Sequence, residues 1–204
     1  MVIVIPFFMG IYYSFTDWNA ITGTKVSWVG LRNFISAVSD ITFIHSFLIT
    51  AVYAVLSVAM LNVVAFFLAL LVTSNVKLKG IYRVGFFLPN LIGGLILGYI
   101  WQFIFNNAIP QLGKLIGFVW LHENLFLANR TLALLAIIIV GTWQYGGYIM
   151  MIYVAAIQGI PSSLLEAAEI DGASYWQRLR HILFPLVAPA FTVSMFLTLT
   201  NSFK

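Results

Sequence analysis

A short polar segment, residues 161–185, lies between two long apolar stretches and carries two pairs of residues with helix-capping spacing. Ser163 stands three positions before Glu166, and Ser174 stands three positions before Gln177. A Ser hydroxyl and a Glu or Gln side chain at this spacing satisfy each other's free backbone amides at a helix start. The segment is therefore predicted to contain two short helices, one beginning at each serine.

The chemistry available around these helices is ion pairing and close contact with another protein surface. Glu166 offers a carboxylate to an arginine on a partner, and the small Ala167 and Ala168 allow that surface to approach closely. Asp171 precedes Gly172, the residue type best suited to a left-handed turn between two helices. We therefore expect a helix, a glycine bend and a second helix. The alternative is a solvated connector in which Glu166 only caps its helix.

The second of these helices has an apolar face at helical spacing. We expect this face to pack against a membrane-spanning core, with the intervening basic side chains turned toward lipid headgroups or a partner. The residues of the face are Trp176, Leu179, Ile182 and Leu183.

A second set of polar side chains lies within apolar stretches, where polar groups are costly unless they face a cavity or a neighbouring helix. Residues 142–147 combine an amide, aromatic rings and two glycines, and residues 198–202 add hydroxyl and amide groups. Amides bond sugar hydroxyls, and aromatic faces cover the CH-rich side of a sugar ring. Small and hydroxyl residues also pack membrane helices closely, and that alternative stays open for each residue. The candidates for lining a substrate path are Trp143, Gln144, Gly147, Thr198 and Asn201.

The composition places these residues in a membrane protein. Of the 204 residues, 62% are hydrophobic and 8% are charged, and the mean hydropathy is +1.01, whereas about a quarter of the residues in soluble domains are charged. A spanning helix needs roughly 20 apolar residues. We expect an all-α, multi-spanning helical bundle with about five spans, at about 1–15 (partial), 44–73, 82–105, 131–157 and 186–203. Pro89 removes a backbone donor and predicts a kink in the third span.

Several functional classes are excluded by what the sequence lacks. It has no cysteine, so a cysteine nucleophile and thiolate metal sites are absent. The three histidines, His45, His122 and His181, have no ligand at metal-binding spacing. No G-x-x-x-x-G-K-[ST] phosphate loop occurs, so this sequence has no nucleotide-binding motif of that kind. The net charge of +4 comes from scattered basic residues, which does not favour nucleic acid.

The polar segment resembles the EAA loop of ABC importer permeases, which reads E-A-A, three residues, G, nine residues and I-x-L-P. The matching residues are Glu166-Ala167-Ala168, Gly172 and Ile182-Leu183-Phe184-Pro185, with Phe184 in place of the usual leucine. Residues 170–173 and 176–178 look more specifically like the sugar-uptake branch, related to the maltose and glycerol-3-phosphate importers. Asp17-Trp18 and residues 28–34 also resemble that branch, although Trp18 and Trp28 are equally typical of aromatic side chains at a membrane interface.

The resemblance implies a permease subunit, not an enzyme, without a cofactor. It implies a second permease subunit, identical or different, two ATPase subunits, an extracytoplasmic solute-binding protein and a carbohydrate substrate, in a bacterial plasma membrane. A cytoplasmic loop at 158–185 would couple to the ATPases through Glu166, Ala167, Ala168, Asp171 and Gly172. Charge alone does not fix this orientation, because the basic residues divide evenly between the two sides.

The resemblance covers nearly the whole chain as one permease domain, residues 1–204. Relatives of this kind have more complete first and last spans, so we expect the chain to be incomplete at both ends. Three alternatives stay open at this point. One is an importer permease for another solute, such as an amino acid or phosphate. Another is a secondary carrier or channel, although the predicted spans contain no carboxylates of the kind that relay protons. The third is a membrane scaffold that transports nothing.

Overall fold

A computed structural model describes residues 2–19, 26–74 and 76–203, and within these ranges the chain is helical and forms no β-strand. A 3₁₀ turn occupies Leu88–Leu91, and π-helical segments occupy Ile104–Ala108 and Leu179–Leu183. The predicted all-helical class is confirmed. The α-helices are α1 (Val4–Ser14), α2 (Arg32–Ser39), α3 (Ile41–Thr73), α4 (Lys79–Phe87), α5 (Gly94–Phe103), α6 (Ile109–Leu115), α7 (Val119–Glu123), α8 (Arg130–Gln158), α9 (Ser162–Ile170), α10 (Tyr175–Arg178) and α11 (Phe184–Ser202).

In the described ranges, three continuous helices are long and apolar enough to cross a membrane. They are Ile41–Thr73, Arg130–Gln158 and Tyr175–Ser202, and they match three of the predicted spans. The last one differs from the prediction, since it also contains the second helix of the polar segment. The short α1 has 11 residues and corresponds to the partial span predicted at 1–15, of which residue 1 lies outside the described ranges.

The span predicted at 82–105 is two helices rather than one. Lys79–Leu91 and Gly94–Leu115 are bent relative to each other by 97°. Pro89 lies in the 3₁₀ turn, and Ile92 after it is extended with a ψ of 124°. The kink expected at Pro89 is therefore a full break, because the chain leaves the helix before it starts a new one at Gly94.

Both π-helical segments end two residues before a proline, at Pro110 and Pro185. A proline ring clashes with the carbonyl group four residues earlier in a regular helix. The wider turn of a π-helix displaces that carbonyl. This local widening explains how α10 continues into α11 across Pro185 without a break.

The chain divides into two compact units, Met1–Val52 and Tyr53–Lys204. The first contains a turn segment, defined here as residues 12–19 and 26–34, that closes through side-chain bonds. The Asp17 carboxylate accepts bonds from the backbone N–H of Ser27 at 2.7 Å and from its hydroxyl at 2.5 Å. The Asn33 amide donates to the carbonyl oxygens of Ser14 at 3.0 Å and Thr16 at 2.8 Å.

Aromatic rings cover the same turn segment. The Trp28 ring stacks on Phe15 with their centroids 5.4 Å apart, and the Trp18 ring stacks on Tyr13 at 4.5 Å. Gly30 has a φ of 60°, a left-handed conformation that glycine adopts at little cost. The turn segment thus bonds its Asp17 and Asn33 side chains internally and stacks its rings on one another, although Trp28 stays 65% exposed.

The core of the second unit forms among α3, α8 and α11. The Phe66 ring of α3 lies 5.5 Å from Tyr153 of α8 and 5.0 Å from Phe191 of α11, centroid to centroid. Alanines with no exposed surface let the helices approach. The buried members of this core are Leu61, Ala65, Phe66, Ala69, Val72, Ile149, Met150, Tyr153, Val154 and Val187.

Helix α8 also packs closely against α4 and the 3₁₀ turn. A Cβ atom added at Gly147 would lie 1.9 Å from the carbonyl oxygen of Phe86. No side chain fits there, so this crossing requires glycine. The contact positions the bent pair of helices on the face of α8.

Candidate coupling loop and membrane cavity

The coupling loop, residues 158–185, begins its first helix one residue earlier than predicted. Pro161 precedes α9, and no side chain caps the start of the helix. The capping box predicted for Ser163 and Glu166 is therefore wrong. Proline has a fixed φ and no N–H to satisfy, so the helix starts directly after it, and Ser163 falls inside the first turn.

The end of α9 and the start of α10 follow the prediction. Gly172 has a φ of 77° and its N–H donates to the carbonyl of Glu169 at 3.1 Å, while the N–H of Ala173 donates to that of Ala168 at 2.9 Å. This bond pair is a Schellman motif, in which a left-handed glycine ends the helix. The capping box predicted for Ser174 and Gln177 is confirmed, since both of its bonds are present.

An ion pair braces the two helices across the glycine bend. The Arg178 guanidinium donates to the Glu169 carboxylate at 2.9 Å. Sequence reasoning missed this pair, because it assigned the basic residues of the second helix to headgroups or a partner. The nine-residue separation crosses a bend, and no helical spacing rule indicates such a contact.

The loop exposes apolar side chains beside its polar groups. Ile170 is 87% exposed and Trp176 is 72% exposed, and Glu166 and Ala167 are exposed on α9. The prediction that Trp176 packs against the spanning core is wrong, because the ring lies outside it. Leu179 and Leu183 of the same predicted face do pack against the core.

A cavity of about 610 Å³ lies between α5 and α8. Gln144 of α8 borders it and donates through Nε2 to the carbonyl of Ile92, 3.4 Å away, at the break between the bent helices. The buried indole Nε1 of Trp101 has no hydrogen-bond partner there. The polar and aromatic side chains of the lining are Tyr53, Tyr99, Trp101, Gln102, Phe105, Gln144 and Tyr145.

A smaller cavity of about 60 Å³ lies among α3, α8 and α11. It shares Tyr53, Gly141 and Tyr145 with the larger one, so the two are adjacent. Asn201 lines it, and the buried Ser57 hydroxyl in its wall has no hydrogen-bond partner. Together the cavities are lined by amide, phenol and hydroxyl side chains beside aromatic rings.

The described part of the chain holds no group of three or more His, Asp or Glu side chains able to bind a metal ion. The chemistry of the cavities is therefore hydrogen bonding and aromatic contact. The chemistry of the coupling loop is ionic and apolar contact with another surface.

Comparison with known proteins identifies the family. The sequence profile described as "Binding-protein-dependent transport system inner membrane component" matches residues 61–204. The chain belongs to this family. It is an integral membrane permease subunit of an ABC importer, so the alternative of a secondary carrier is excluded.

Individual relatives agree with this assignment. The chain is 47% identical to the "Probable starch degradation products transport system permease protein AmyD" of Thermoanaerobacterium thermosulfurigenes, over 100% of its own length and 68% of that protein. It is 34% identical to the "sn-glycerol-3-phosphate transport system permease protein UgpA" of Brucella abortus biovar 1, over 97% of its own length and 66% of that protein.

Two solved structures share the fold. One is a bacterial ABC transporter involved in the import of the acidic polysaccharide alginate, with a TM-score of 0.83 and 21% identity over 98% of this chain and 68% of that one. The other is a bacterial alginate ABC transporter in complex with an alginate pentasaccharide-bound periplasmic protein, with a TM-score of 0.80 and 22% identity over 97% of this chain and 66% of that one.

Within this permease, the five residues predicted for the substrate path lie on different faces. Gln144 lines the larger cavity, and Thr198 and Asn201 line the smaller one. Trp143 and Gly147 instead border an apolar groove against α4, and the close contact at Gly147 favours packing over substrate contact. Their substrate role stays a prediction.

Sequence reasoning missed several residues that line the larger cavity, including Tyr53, Tyr99, Trp101 and Gln102. Tyr145 belongs to the polar cluster at 142–147, which was predicted to line the path. Tyr53 is a lone tyrosine in a long apolar helix. No spacing pattern connects it to α8, so only the fold reveals that the two side chains share a cavity.

Proposed function

We propose that this permease forms one half of a path for a carbohydrate across a bacterial plasma membrane. The observation that carries the proposal is the pair of adjacent cavities, lined by tyrosines, tryptophan and glutamines. Aromatic rings cover the apolar faces of sugars, and amide and phenol groups bond their hydroxyls. A transport path needs many such contacts, each of them weak, because the solute must be released as well as bound.

The charge of the cavities supports a neutral polyhydroxyl substrate. None of the described residues that line either cavity is Asp, Glu, Lys, Arg or His. A phosphate or an amino acid zwitterion moved into this apolar setting needs an opposite charge, because an unpaired ion there is costly. The similarity to a permease for starch degradation products supports the same substrate class.

The coupling loop supports a partner that hydrolyses ATP. Its exposed Ile170 and Trp176 lie in the same loop as the exposed carboxylate of Glu166, a combination that fits burial against another protein with an arginine. Two ATPase subunits, a second permease and an extracytoplasmic solute-binding protein complete the proposed assembly. Glu166, Ala167, Ala168, Asp171 and Gly172 form the proposed contact with the ATPase.

The substrate class is tested by solute-stimulated ATP hydrolysis in vesicles that contain the complete transporter and its binding protein. Neutral starch oligosaccharides are expected to stimulate hydrolysis, and sn-glycerol-3-phosphate is not. Gln144→Ala and Asn201→Ala should each lower uptake about tenfold, the effect of one or two hydrogen bonds. Gln111→Ala, on the exposed surface of α6, is the matched control and should have no effect. Stimulation by the phosphate alone would reject the carbohydrate assignment.

The coupling role is tested by Glu166→Lys, which reverses the charge offered to the ATPase. We expect co-purification of the ATPase and uptake to fall at least about tenfold, as for loss of a paired interfacial charge. Glu123→Lys makes the same charge change on the exposed surface of α7 and should leave both unchanged. Equal ATPase binding by the two variants would reject the contact.

A further inference from the structure

Four polar side chains from three helices form a closed hydrogen-bond network inside the second unit. Tyr153 of α8 donates from its hydroxyl to the Asn62 amide oxygen of α3 at 2.7 Å. The Asn62 amide nitrogen donates to the Thr198 hydroxyl of α11 at 3.1 Å and to the carbonyl of Val58 at 2.7 Å. We call Asn62, Tyr153, Ser194 and Thr198 the polar joint.

Ser194 completes the polar joint. Its hydroxyl lies 2.5 Å from that of Tyr153, where either oxygen can donate, and it also donates to the carbonyl of Phe191 at 3.1 Å. The Thr198 hydroxyl donates in turn to the carbonyl of Ser194 at 2.9 Å. Tyr153 and Ser194 have no exposed surface, and Asn62 and Thr198 expose 2% and 3%. Every member is therefore satisfied by the others and shielded from solvent.

This burial gives the polar joint one favoured arrangement. An unsatisfied polar group in a membrane interior costs several kcal/mol, so the helices cannot slide past one another without breaking several bonds together. The Tyr153 ring also packs against Phe66 and Phe191, with centroids 5.5 and 4.7 Å away. Packing and bonding thus fix the same three helices to one another.

The position of the polar joint connects the coupling loop to a cavity. Tyr153 lies five residues before the end of α8 at Gln158, where the loop begins. Ser194 lies in the helix that starts at Tyr175 within the loop and runs unbroken past the other end of the loop at Pro185. Thr198 lines the smaller cavity together with Asn201. The polar joint therefore links the helix that precedes the loop to the helix that follows it, and through Thr198 it also borders the smaller cavity.

We propose that the polar joint holds α3, α8 and α11 as one rigid body that carries movement of the coupling loop to the cavity, with Tyr153 as its positioning residue. The proposal rests on the proposed ATPase coupling of this permease. Without the joint, the ends of the loop move independently and less of the movement reaches the cavity.

The rigid body is tested directly by spin labels in the complete transporter, which the absence of cysteine in this chain makes straightforward. Cysteines replace Val55 of α3 and Phe196 of α11, which are 67% and 68% exposed. We expect a narrow distance distribution that ATP does not change. In Tyr153→Phe it should become broad and ATP-dependent, whereas Tyr82→Phe, an exposed tyrosine of α4, should match the parent. Identical distributions in all three proteins would overturn the proposal.

The functional consequence is tested by the amount of solute imported per ATP hydrolysed. Tyr153→Phe should lower this ratio about fivefold, as expected when lost hydrogen bonds shift a two-state equilibrium. Ser194→Ala keeps the hydrogen bond between Tyr153 and Asn62 and should lower the ratio of solute imported to ATP hydrolysed by a smaller factor. This variant replaces Tyr153→Phe in the test if Tyr153→Phe fails to fold. Proportional losses of uptake and hydrolysis, with the ratio unchanged, would show a purely structural role and overturn the proposal. If the parent imports no carbohydrate, the proposed substrate fails, and the label distances still decide the role of the joint.

Discussion

The turn segment and the coupling loop are both polar interruptions between apolar helices, and they treat their side chains in opposite ways. In the turn segment, Asp17 and Asn33 bond to backbone groups of the same segment, and Trp28 stacks on Phe15. In the coupling loop, Glu166, Ile170 and Trp176 are left exposed. The polar side chains of the turn segment are bonded within that segment, whereas these side chains of the coupling loop are open to contact with another protein.

This difference distinguishes a segment that stabilises itself from a segment that binds a partner, and composition alone does not distinguish them. Each segment has a left-handed glycine, exposed aromatic side chains and at least one carboxylate. Groups satisfied within a segment stabilise that segment, whereas groups left open are available to a partner. Matched substitutions should therefore change stability in the turn segment and assembly in the coupling loop.

The largest effect is expected from the two left-handed glycines. Gly172→Ala places a Cβ at a φ of 77°, which costs about 1–2 kcal/mol and shifts the bend between α9 and α10. Uptake should fall about tenfold, with the ATPase bound more weakly. Gly30→Ala, at a φ of 60° and equally without steric contacts, should lower the thermal stability by a similar free energy and leave ATPase binding intact. Equal loss of ATPase binding in Gly172→Ala and Gly30→Ala would show that the coupling loop and the turn segment do not differ in this role.

A second contrast comes from the exposed tryptophans. Trp176→Ala should weaken ATPase binding by about 1 kcal/mol, or about fivefold, as for an aromatic residue at an interface, without changing the thermal stability. Trp28→Ala should lower the stability by about 1 kcal/mol through loss of its stacked pair and leave binding unchanged. Titration of the ATPase onto the permease and thermal unfolding measure the two effects. Unchanged binding by Trp176→Ala would show that its exposed ring faces lipid.

Residue types and local spacing predicted the helical class and the glycine bend. The Ser174 capping box and Gly172 depend on residues within one turn of each other, and both were confirmed. The box at Ser163 failed because Pro161 competes for the start of the helix. Local rules thus succeed where no neighbouring residue offers an alternative.

Contacts between distant residues could not be predicted. Asn62 and Thr198 are 136 positions apart, and nothing in the sequence around either residue indicates the other. Gln144 was found as a cavity residue because it is an amide in an apolar stretch, whereas Trp143 beside it borders the groove against α4 and contacts the Trp101 ring of α5. A helix advances about 100° per residue, so the face toward the cavity depends on where the neighbouring helices pack.

A smaller effect is expected from pH on the turn segment. The bonds from the Ser27 hydroxyl and backbone N–H lower the pKa of Asp17 below its ordinary value of 3.8. A lowered folded pKa contributes stability that is complete above the unfolded pKa and disappears as pH falls through the folded one. Hydrogen exchange of residues 26–34 should therefore accelerate on acidification below about pH 4 beyond the intrinsic change. Asp17→Asn should remove this pH dependence of hydrogen exchange. If the variant and the parent show the same pH dependence, another titrating group is responsible.

The smallest effect is expected from the ion pair within the coupling loop. Arg178 and Glu169 are 2.9 Å apart but partly exposed, so the pair contributes only about 0.5 kcal/mol and less in high salt. Arg178→Ala should lower the thermal stability by no more than this and leave ATPase binding near that of the parent, with Arg180→Ala as the control. If Arg178→Ala instead weakens ATPase binding as strongly as Trp176→Ala, the coupling loop also depends on a bond between its own side chains. Only the exposed residues of α9 would then distinguish it from the turn segment.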